Sequence, residues 1–161
     1  MRKSKIELGT TARAVTVLAA AAVLSAAVTT SATAAAAAPD MGELKNLYTG
    51  ACIDDSGAGL RGFGCNGLSF QMWRNYGSGN GNAVLRNANT GRCLDDSGAG
   101  LRAIPCNGMN YQNWRVTLDT AKWAYTFRNE NTGLCIDDSP VGLRSFPCNG
   151  LNYQKFKYQG H

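Results

Sequence analysis

Apolar and polar residues alternate over short stretches between residues 44 and 158, and no stretch places apolar residues at helical intervals. Glycine and asparagine turns, such as Asn-Thr-Gly at 89–91 and 131–133, interrupt this pattern at regular intervals. Such alternation bounded by turn residues is typical of β-strands. The strand character is clear at 83–85, 102–104, 123–127 and 144–146. The pattern predicts an all-β chain of about twelve short strands.

One unit occurs three times along this part of the chain. The copies align on CIDDSGAGLRGFGCNGLSFQMW from Cys52, CLDDSGAGLRAIPCNGMNYQNW from Cys93 and CIDDSPVGLRSFPCNGLNYQKF from Cys135, so their first cysteines lie 41 and 42 residues apart. A repeat of this length is one supersecondary unit that cannot bury its apolar face alone. We expect one domain at 39–161, with repeats at about 44–82, 83–123 and 124–158 that close on each other and remove the sheet edges.

Residues 1–38 have the composition of an export signal. Four basic residues lie within the first thirteen positions, an apolar segment follows at 14–28, and an alanine-rich stretch leads to small-residue cleavage positions between Ala34 and Asp40. A membrane anchor is the alternative, but a bilayer span needs roughly 20 strongly apolar residues, and this segment is shorter and mostly alanine. We therefore expect a secreted protein whose mature form has no membrane span.

The basic excess of the chain lies mainly in this leader. The whole chain has 16 lysines and arginines against 11 acidic residues, and removal of the leader leaves 12 against 10, a net charge of +2. A nucleic-acid partner requires a clustered basic face, whereas these basic residues are dispersed among pairs of aspartates. We expect no nucleic-acid partner.

Six cysteines in an exported chain indicate a disulfide framework, for which 15 pairings are possible. The cysteine spacing is the same in every copy, and pairing within each copy treats the three copies alike. The sequence thus predicts the disulfides Cys52–Cys65, Cys93–Cys106 and Cys135–Cys148. Close Cys-x-x-Cys pairs are missing and the single histidine is the terminal His161, so we expect neither a metal site nor a cofactor.

Two features shared by the copies resemble the ricin B-type β-trefoil lectin domain family. They are the Gln-x-aromatic triplets that begin at Gln71, Gln112 and Gln154, and the Cys-Ile/Leu-Asp segments at 52–54, 93–95 and 135–137. Within that family, the order of Thr-Gly, Leu-Asp, Pro, Asn-Gly and Tyr-Gln-x-Trp is similar to that of actinohivin-like mannose-binding lectins. The resemblance implies a β-trefoil that binds glycans, with the aromatic residue of each triplet in the core and the glutamine holding a turn.

The resemblance also implies that one aspartate in each copy holds a sugar hydroxyl. These residues are Asp54, Asp95 and Asp137. A carboxylate gives short, charge-assisted hydrogen bonds to hydroxyl groups, and we expect it to be open to solvent. The alternative is a structural clasp between each aspartate and the arginine seven residues further on, namely Arg61, Arg102 and Arg144.

Further wall residues follow from the same resemblance. Asparagines match one that contacts mannose, aromatic residues match a tyrosine platform, and apolar residues match a wall position; they are Asn66, Asn107 and Asn149, then Phe70, Tyr111 and Tyr153, then Phe63, Ile104 and Phe146. The alternatives are a simple turn for Asn-Gly and half-buried rings for the aromatic residues. The three arginines stand where the mannose-binding lectins have a tyrosine, which leaves an acidic glycan as the alternative ligand.

Catalysis is not expected. Each candidate aspartate is followed by a second one, and neighbouring strand residues point to opposite faces, whereas glycoside hydrolysis needs two carboxyl groups facing one bond at roughly 5–9.5 Å. We expect a lectin with three equivalent sites for a polysaccharide or dense glycan, mannose-type being favoured. The alternative is a protein-binding β-trefoil, such as a protease inhibitor, acting through the asymmetric loops 75–82 or 117–122.

Overall fold

Twelve β-strands and three single-turn 3₁₀ helices form the part of the chain that the computed structural model describes, residues 40–77 and 82–160. The strands are β1 (Met41–Asn46), β2 (Ala51–Ser56), β3 (Gly59–Gly64), β4 (Met72–Gly77), β5 (Asn82–Asn87), β6 (Arg92–Ser97), β7 (Gly100–Pro105), β8 (Trp114–Asp119), β9 (Ala124–Asn129), β10 (Cys135–Ser139), β11 (Gly142–Phe146) and β12 (Phe156–Gln159). The 3₁₀ turns span Ser69–Gln71, Asn110–Gln112 and Asn152–Gln154. The all-β prediction is confirmed.

Six of the strands close into a barrel. In order around the ring they are β1, β4, β5, β8, β9 and β12, and β12 pairs with β1 to complete it; every pairing is antiparallel. The closing pair includes Glu43 opposite Gln159. Because each barrel strand has a partner on both sides, no backbone edge of the barrel is left for another chain.

The other six strands form three outer hairpins, β2–β3, β6–β7 and β10–β11. Each hairpin turn contains a glycine with positive φ, of 87° at Gly59, 81° at Gly100 and 100° at Gly142. Glycine suits this conformation because it has no Cβ to clash. The register of each hairpin sets an aspartate opposite an arginine: Asp54 opposite Arg61, Asp95 opposite Arg102, and Asp137 opposite Arg144.

The core repeats the threefold pattern of the sequence. Each repeat contributes one apolar barrel residue, one apolar hairpin residue and the aromatic residue of the Gln-x-aromatic triplet, and all are at most 1% exposed: Leu44, Ile53 and Trp73; Leu85, Leu94 and Trp114; Phe127, Ile136 and Phe156. The indole N–H groups of Trp73 and Trp114 donate to the carbonyl oxygens of Ile53 and Leu94 at 2.8 and 3.1 Å. The expected core position of these aromatic residues is confirmed.

The three disulfides join the predicted partners, Cys52–Cys65, Cys93–Cys106 and Cys135–Cys148. In each, the Cα atoms lie 5.0–5.1 Å apart, an ordinary separation for a bridge across a hairpin. Glu43 lies close to the first bridge, but both sulfur atoms there are bonded to each other and offer no thiolate to a metal.

The predicted signal peptide at 1–38 lies outside the described residues. Within residues 40–77 and 82–160, no helix has the length and apolar character needed to cross a bilayer.

Candidate functional site

The last residue of each 3₁₀ turn is a buried glutamine, and it holds the loop that carries the candidate asparagine. The Oε1 of Gln71 accepts a hydrogen bond from the backbone N–H of Asn66 at 2.8 Å, and its Nε2 donates to the carbonyl of Gly64 at 3.0 Å. Gln112 and Gln154 make the same contacts in the other repeats. One amide thus satisfies a donor and an acceptor of the loop, which confirms its expected structural role.

The candidate aspartates are buried beside these glutamines. Asp54, Asp95 and Asp137 are only 3%, 1% and 1% exposed. One oxygen of Asp54 accepts from Nε of Arg61 at 3.4 Å, and the other accepts from Nε2 of Gln71 at 3.2 Å.

The same arginine–aspartate bond occurs at 3.1 Å in the second repeat and 3.4 Å in the third. The expectation of a carboxylate open to solvent is therefore wrong, because partners from its own repeat cover it; the structure shows the clasp that we gave as the alternative. A contact between these carboxylates and a sugar stays a prediction.

The arginine of each clasp is partly exposed, whereas the aspartate is buried. Their side chains are 41–42% exposed although Nε is held by the carboxylate. In the first repeat the guanidinium carbon of Arg61 lies 4.2 Å from the centre of the Phe63 ring, and Arg144 lies over Phe146 at the same distance. A cation–π contact at an exposed site contributes about 0.5–1 kcal/mol. This contact and the clasp together restrain a guanidinium that remains partly exposed.

The second repeat departs from this arrangement because Ile104 replaces the ring. Its arginine, Arg102, instead donates from Nη2 to Oγ of Ser97 at 2.7 Å. Sequence reasoning did not single out Ser97, which is equivalent to Ser56 and Ser139 in the other copies. The first and third sites are therefore matched, and the second is a variant.

The asparagine side chains combine a turn with a free donor. Asn66, Asn107 and Asn149 are exposed, and their Oδ1 atoms accept from the backbone N–H two residues further on, each at 3.0 Å. This Asx turn explains the Asn-Gly sequence. The Nδ2 groups make no hydrogen bond within the described residues, so the turn leaves a donor for a ligand hydroxyl.

Aromatic rings flank the third site more fully than the others. Phe70, Tyr111 and Tyr153 are half-buried at the platform position. The ring of Tyr153 lies 4.2 Å from that of Tyr48, measured between centroids. Its hydrogen bond to Tyr48, followed by burial, raises the pKa of Tyr153, so the hydroxyl remains neutral. The position of Tyr48 is taken by Asn89 and Asn131 in the other copies.

The second aspartate of each pair joins neighbouring repeats. Asp55 accepts hydrogen bonds from Oγ1 of Thr90 and from the guanidinium of Arg92, with Nε at 3.0 Å. Asp96 accepts from Thr132 and, at 2.7 Å, from Ser145. These partners differ from those of the first aspartates, as expected for alternating strand residues. The threonines were missed by sequence reasoning, although a Thr-Gly in all three copies could have indicated a shared role.

The third member of this set has the fewest hydrogen-bond partners among the described residues. Asp138 accepts from Oγ1 of Thr49 and faces Gly62, where a Cβ atom would lie 2.6 Å from its Oδ1. Burial raises the pKa of Asp138, and the neighbouring charge of Asp137 adds to the rise, against the opposing effect of the Thr49 hydrogen bond. This carboxylate is thus held in a place that favours its neutral form.

We expect the Asp138→Asn variant to be more stable than the wild-type protein at neutral pH. A carboxyl group whose folded-state pKa is raised binds its proton more tightly in the folded protein, so it destabilises the fold above that pKa, and this cost disappears as pH falls towards the ordinary value of 3.8. Urea unfolding at several pH values should show an advantage for the variant at pH 7 that shrinks on acidification. A stability advantage that does not change with pH would show that the raised pKa of Asp138 is not its cause.

The turn between β8 and β9 is the asymmetric loop at 117–122 considered for a protein partner. Asp119 holds it by accepting from the backbone N–H groups of Ala121 and Lys122 at 3.1 and 3.2 Å. The hydrogen bond from Lys155 lowers the pKa of Asp119. The turn ends at Trp123, which has a φ of 50° and is 72% exposed. The other loop, 75–82, lies partly outside the described residues.

The sequence and the fold both match known proteins. The family described as "Ricin-type beta-trefoil lectin domain" matches residues 40–140 and 81–161, which together span the whole barrel and its hairpins. No curated protein matches the sequence significantly.

Similar solved structures include the designed threefold-symmetric protein ThreeFoil, with 20% identity and a TM-score of 0.66 over 74% of this chain and 97% of that one. A ricin B-like lectin from Macrolepiota procera, solved with lactose, has 20% identity and a TM-score of 0.63 over 73% and 92% of the two chains. The hemolytic lectin CEL-III has 26% identity and a TM-score of 0.64; the match covers 76% of this chain but 30% of that protein. These likenesses show the β-trefoil fold.

Proposed function

This chain belongs to the ricin-type β-trefoil lectin domain family, and from that membership we propose that it is a secreted lectin that binds a polysaccharide or dense glycan without catalysis. Two structures similar to it are named as lectins, one of them a ricin B-like lectin in complex with lactose. The proposal requires surface groups in this chain that suit sugar hydroxyls and sugar C–H faces.

The observation that carries the proposal is the repetition of one polar arrangement in three places, with an adjacent aromatic ring in two of them. In each repeat a partly exposed guanidinium is held by a buried carboxylate, and the exposed asparagine of the same repeat has an Nδ2 group that makes no hydrogen bond within the described residues. In the first and third repeats a partly exposed ring, Phe63 or Phe146, lies next to the guanidinium. Fixed donors with an adjacent ring suit a pyranose, since the ring covers its C–H face and the donors bind its hydroxyls.

The outward donors replace the carboxylate as the direct sugar contacts in this proposal. The terminal nitrogens of Arg61 and Arg144 make no hydrogen bond within the described residues, so each can reach two hydroxyls at once. The carboxylates of Asp54 and Asp137 then act by holding the guanidinium in place. Such preorganisation lowers the entropy that a ligand must remove on binding.

Three shallow sites favour a polymeric ligand. A shallow site removes little surface from water, so each should bind one sugar unit at about millimolar strength. Sites on one rigid body can raise the avidity for a polymer by about 10²–10⁴. A mannose-type polysaccharide is the ligand that we favour, because the asparagine and platform positions match those of actinohivin-like lectins.

The leader and the disulfides support secretion in this proposal. Residues 1–38 resemble a removable signal, and three disulfides suit an oxidising compartment. The absence of catalysis is supported by the state of the paired aspartates, which are bound to different partners within the protein.

Titration of the wild-type mature protein with yeast mannan tests this function directly. We expect binding that is much tighter per protein molecule to mannan than to free mannose, as measured by isothermal titration calorimetry. Arrays of neutral and acidic glycans identify the sugar if mannan is not the ligand. A flat response to mannan and to all glycans on the array would refute the lectin assignment.

A further inference from the structure

Two basic residues lie directly opposite each other at the same place in each third of the barrel. The pairs are Arg74 opposite Arg86, Arg115 opposite Arg128, and Lys157 opposite Lys45. Directly opposed strand residues have Cβ atoms about 4.5–5.5 Å apart, and like charges in this position are destabilising. Such a pair is expected to have an acidic partner, either in the protein or from a ligand.

Only one of these three pairs has an acidic partner within the described residues. Glu130 bonds to Nε of Arg115 at 3.1 Å. The residues that occupy the place of Glu130 in the other thirds are Ala88 and Leu47, as shown by equivalent backbone hydrogen bonds: Glu130 to Asn113, Ala88 to Met72 and Leu47 to Lys155, at 2.8–2.9 Å. The Arg74–Arg86 pair therefore lacks the carboxylate that its neighbour has.

A groove lies beside the Arg74–Arg86 pair. A polar cavity of about 250 Å³ is lined by Arg74, Arg86, Tyr76 and the turn at 87–91. A second, apolar cavity of about 220 Å³ adjoins it, sharing Tyr76 and Arg86 and reaching Val84 and the Cys93–Cys106 disulfide. The groove thus joins a cationic end to an apolar end across one aromatic ring, which is 47% exposed.

The aromatic ring makes this groove different from the equivalent surfaces. Tyr76 is replaced by Thr117 and Gln159 in the other thirds of the barrel, and Val84 is replaced by Thr126 and Glu43. No other third combines an aromatic ring with two cations that have no acidic partner among the described residues.

We propose that this groove on the β4–β5 hairpin is a fourth glycan site, which binds an acidic sugar unit through its carboxylate or sulfate group. An arginine fork matches the two oxygens of such an anion and forms bidentate hydrogen bonds. The face of Tyr76 and the apolar end of the groove suit the C–H face of the same or the next pyranose. The proposal rests on the proposed function for its ligand class, a glycan, but it uses a surface separate from the three repeated sites.

The experiment compares three ligands and four proteins at low salt, where interactions between exposed charges are least screened. The ligands are a galacturonic-acid hexasaccharide, a dextran sulfate oligomer and neutral dextran of the same length. The proteins are the wild type, Arg74→Gln, Ala88→Glu, which supplies the missing carboxylate, and Arg115→Gln as the matched control. Arg86 is left in place because its Nε donates to the carbonyl of Gly91 at 2.9 Å.

We expect the wild type to bind at least one acidic oligosaccharide in preference to neutral dextran. Arg74→Gln and Ala88→Glu should each weaken that binding by about tenfold or more, the loss expected for one good charge-assisted contact, whereas Arg115→Gln should leave it within about twofold. Binding of the galacturonic-acid hexasaccharide would identify the anion as a carboxylate, and binding of the dextran sulfate oligomer would identify it as a sulfate.

Equal binding of acidic and neutral oligosaccharides by the wild type would overturn the proposal. Full affinity in both groove variants would overturn it too, because the groove would then not hold the anion. An equal loss in Arg115→Gln would also overturn it, because only net charge would then matter. Mannan titration of the same variants separates this proposal from the proposed function. Mannan binding that persists while acidic binding is lost in the groove variants confirms two surfaces, and mannan binding absent from every protein refutes only the mannose preference proposed for the three repeated sites.

Discussion

The triple variant with lysine at positions 61, 102 and 144 should bind mannan at least about 100-fold more weakly than the wild-type protein. Lysine keeps a positive charge beside the buried aspartate, so the clasp retains its electrostatic partner. It loses the planar fork of the guanidinium, and with it the outward donors that the proposed sites use. When a polymer binds several sites at once, the losses of affinity at the individual sites multiply. Each single variant should therefore bind mannan only a few-fold more weakly.

Calorimetric titration with mannan measures this effect, with Arg115→Lys as the control. Arg115 is exposed, lies outside the three sites and bonds to Glu130, so its replacement tests the general effect of exchanging one surface arginine. Thermal unfolding should be similar for all variants. A correctly folded triple variant that binds mannan as tightly as the wild type would show that the arginines do not contact the ligand.

Asp55→Asn should lower the free energy of unfolding by about 2–3 kcal/mol, a loss near the lower end of the range for breaking a buried ion pair. Asp55 is fully buried and accepts hydrogen bonds from Thr90 and from two nitrogens of Arg92. An asparagine keeps the shape but turns an N–H donor towards a guanidinium that also donates. The loss is limited because the Arg92 side chain is 35% exposed and can turn to water.

The three repeats provide an internal series for this prediction. Asp96 has Thr132 and Ser145 as partners but no arginine among the described residues, because Leu134 replaces Arg92 there. Asp138 has Thr49 and no cation among the described residues, because Ala51 occupies that place. Guanidinium chloride unfolding at pH 7 should therefore rank the asparagine variants with Asp55→Asn as the most damaging, Asp96→Asn next, and Asp138→Asn stabilising. Equal losses at all three positions would contradict the role assigned to Arg92.

The repeat itself made the scaffold predictable from sequence. Equal cysteine spacing gave the three disulfides, and the Gln-x-aromatic triplets gave both the buried glutamines and the core positions of Trp73, Trp114 and Phe156. These features depend on local spacing and on burial, which a repeated pattern displays in every copy. The Asn-Gly turns were predicted for the same reason, because their geometry is local.

The site was predicted less well because its details depend on which partners meet in space. The residue types around Asp54 allowed either an open acceptor or a clasp, and the hairpin register that sets Arg61 opposite it decides for the clasp. The link from Asp55 to Arg92 joins residues 37 positions apart in different repeats, so no local pattern indicates it. The groove at Tyr76 arises where the copies differ, which a search for shared features passes over.

The ring of barrel strands also sets an order of assembly. Each disulfide joins cysteines 13 positions apart, so it can form as soon as its own hairpin exists. One neighbour of β1 in the barrel is β12, and this pairing sets Glu43 opposite Gln159, which is 116 positions further along the chain. Contacts between distant segments form late, so all three disulfides can form before β1 pairs with β12. The pairing of β1 with β12 is then the step that joins three separate disulfide-bonded hairpins into one cooperative unit.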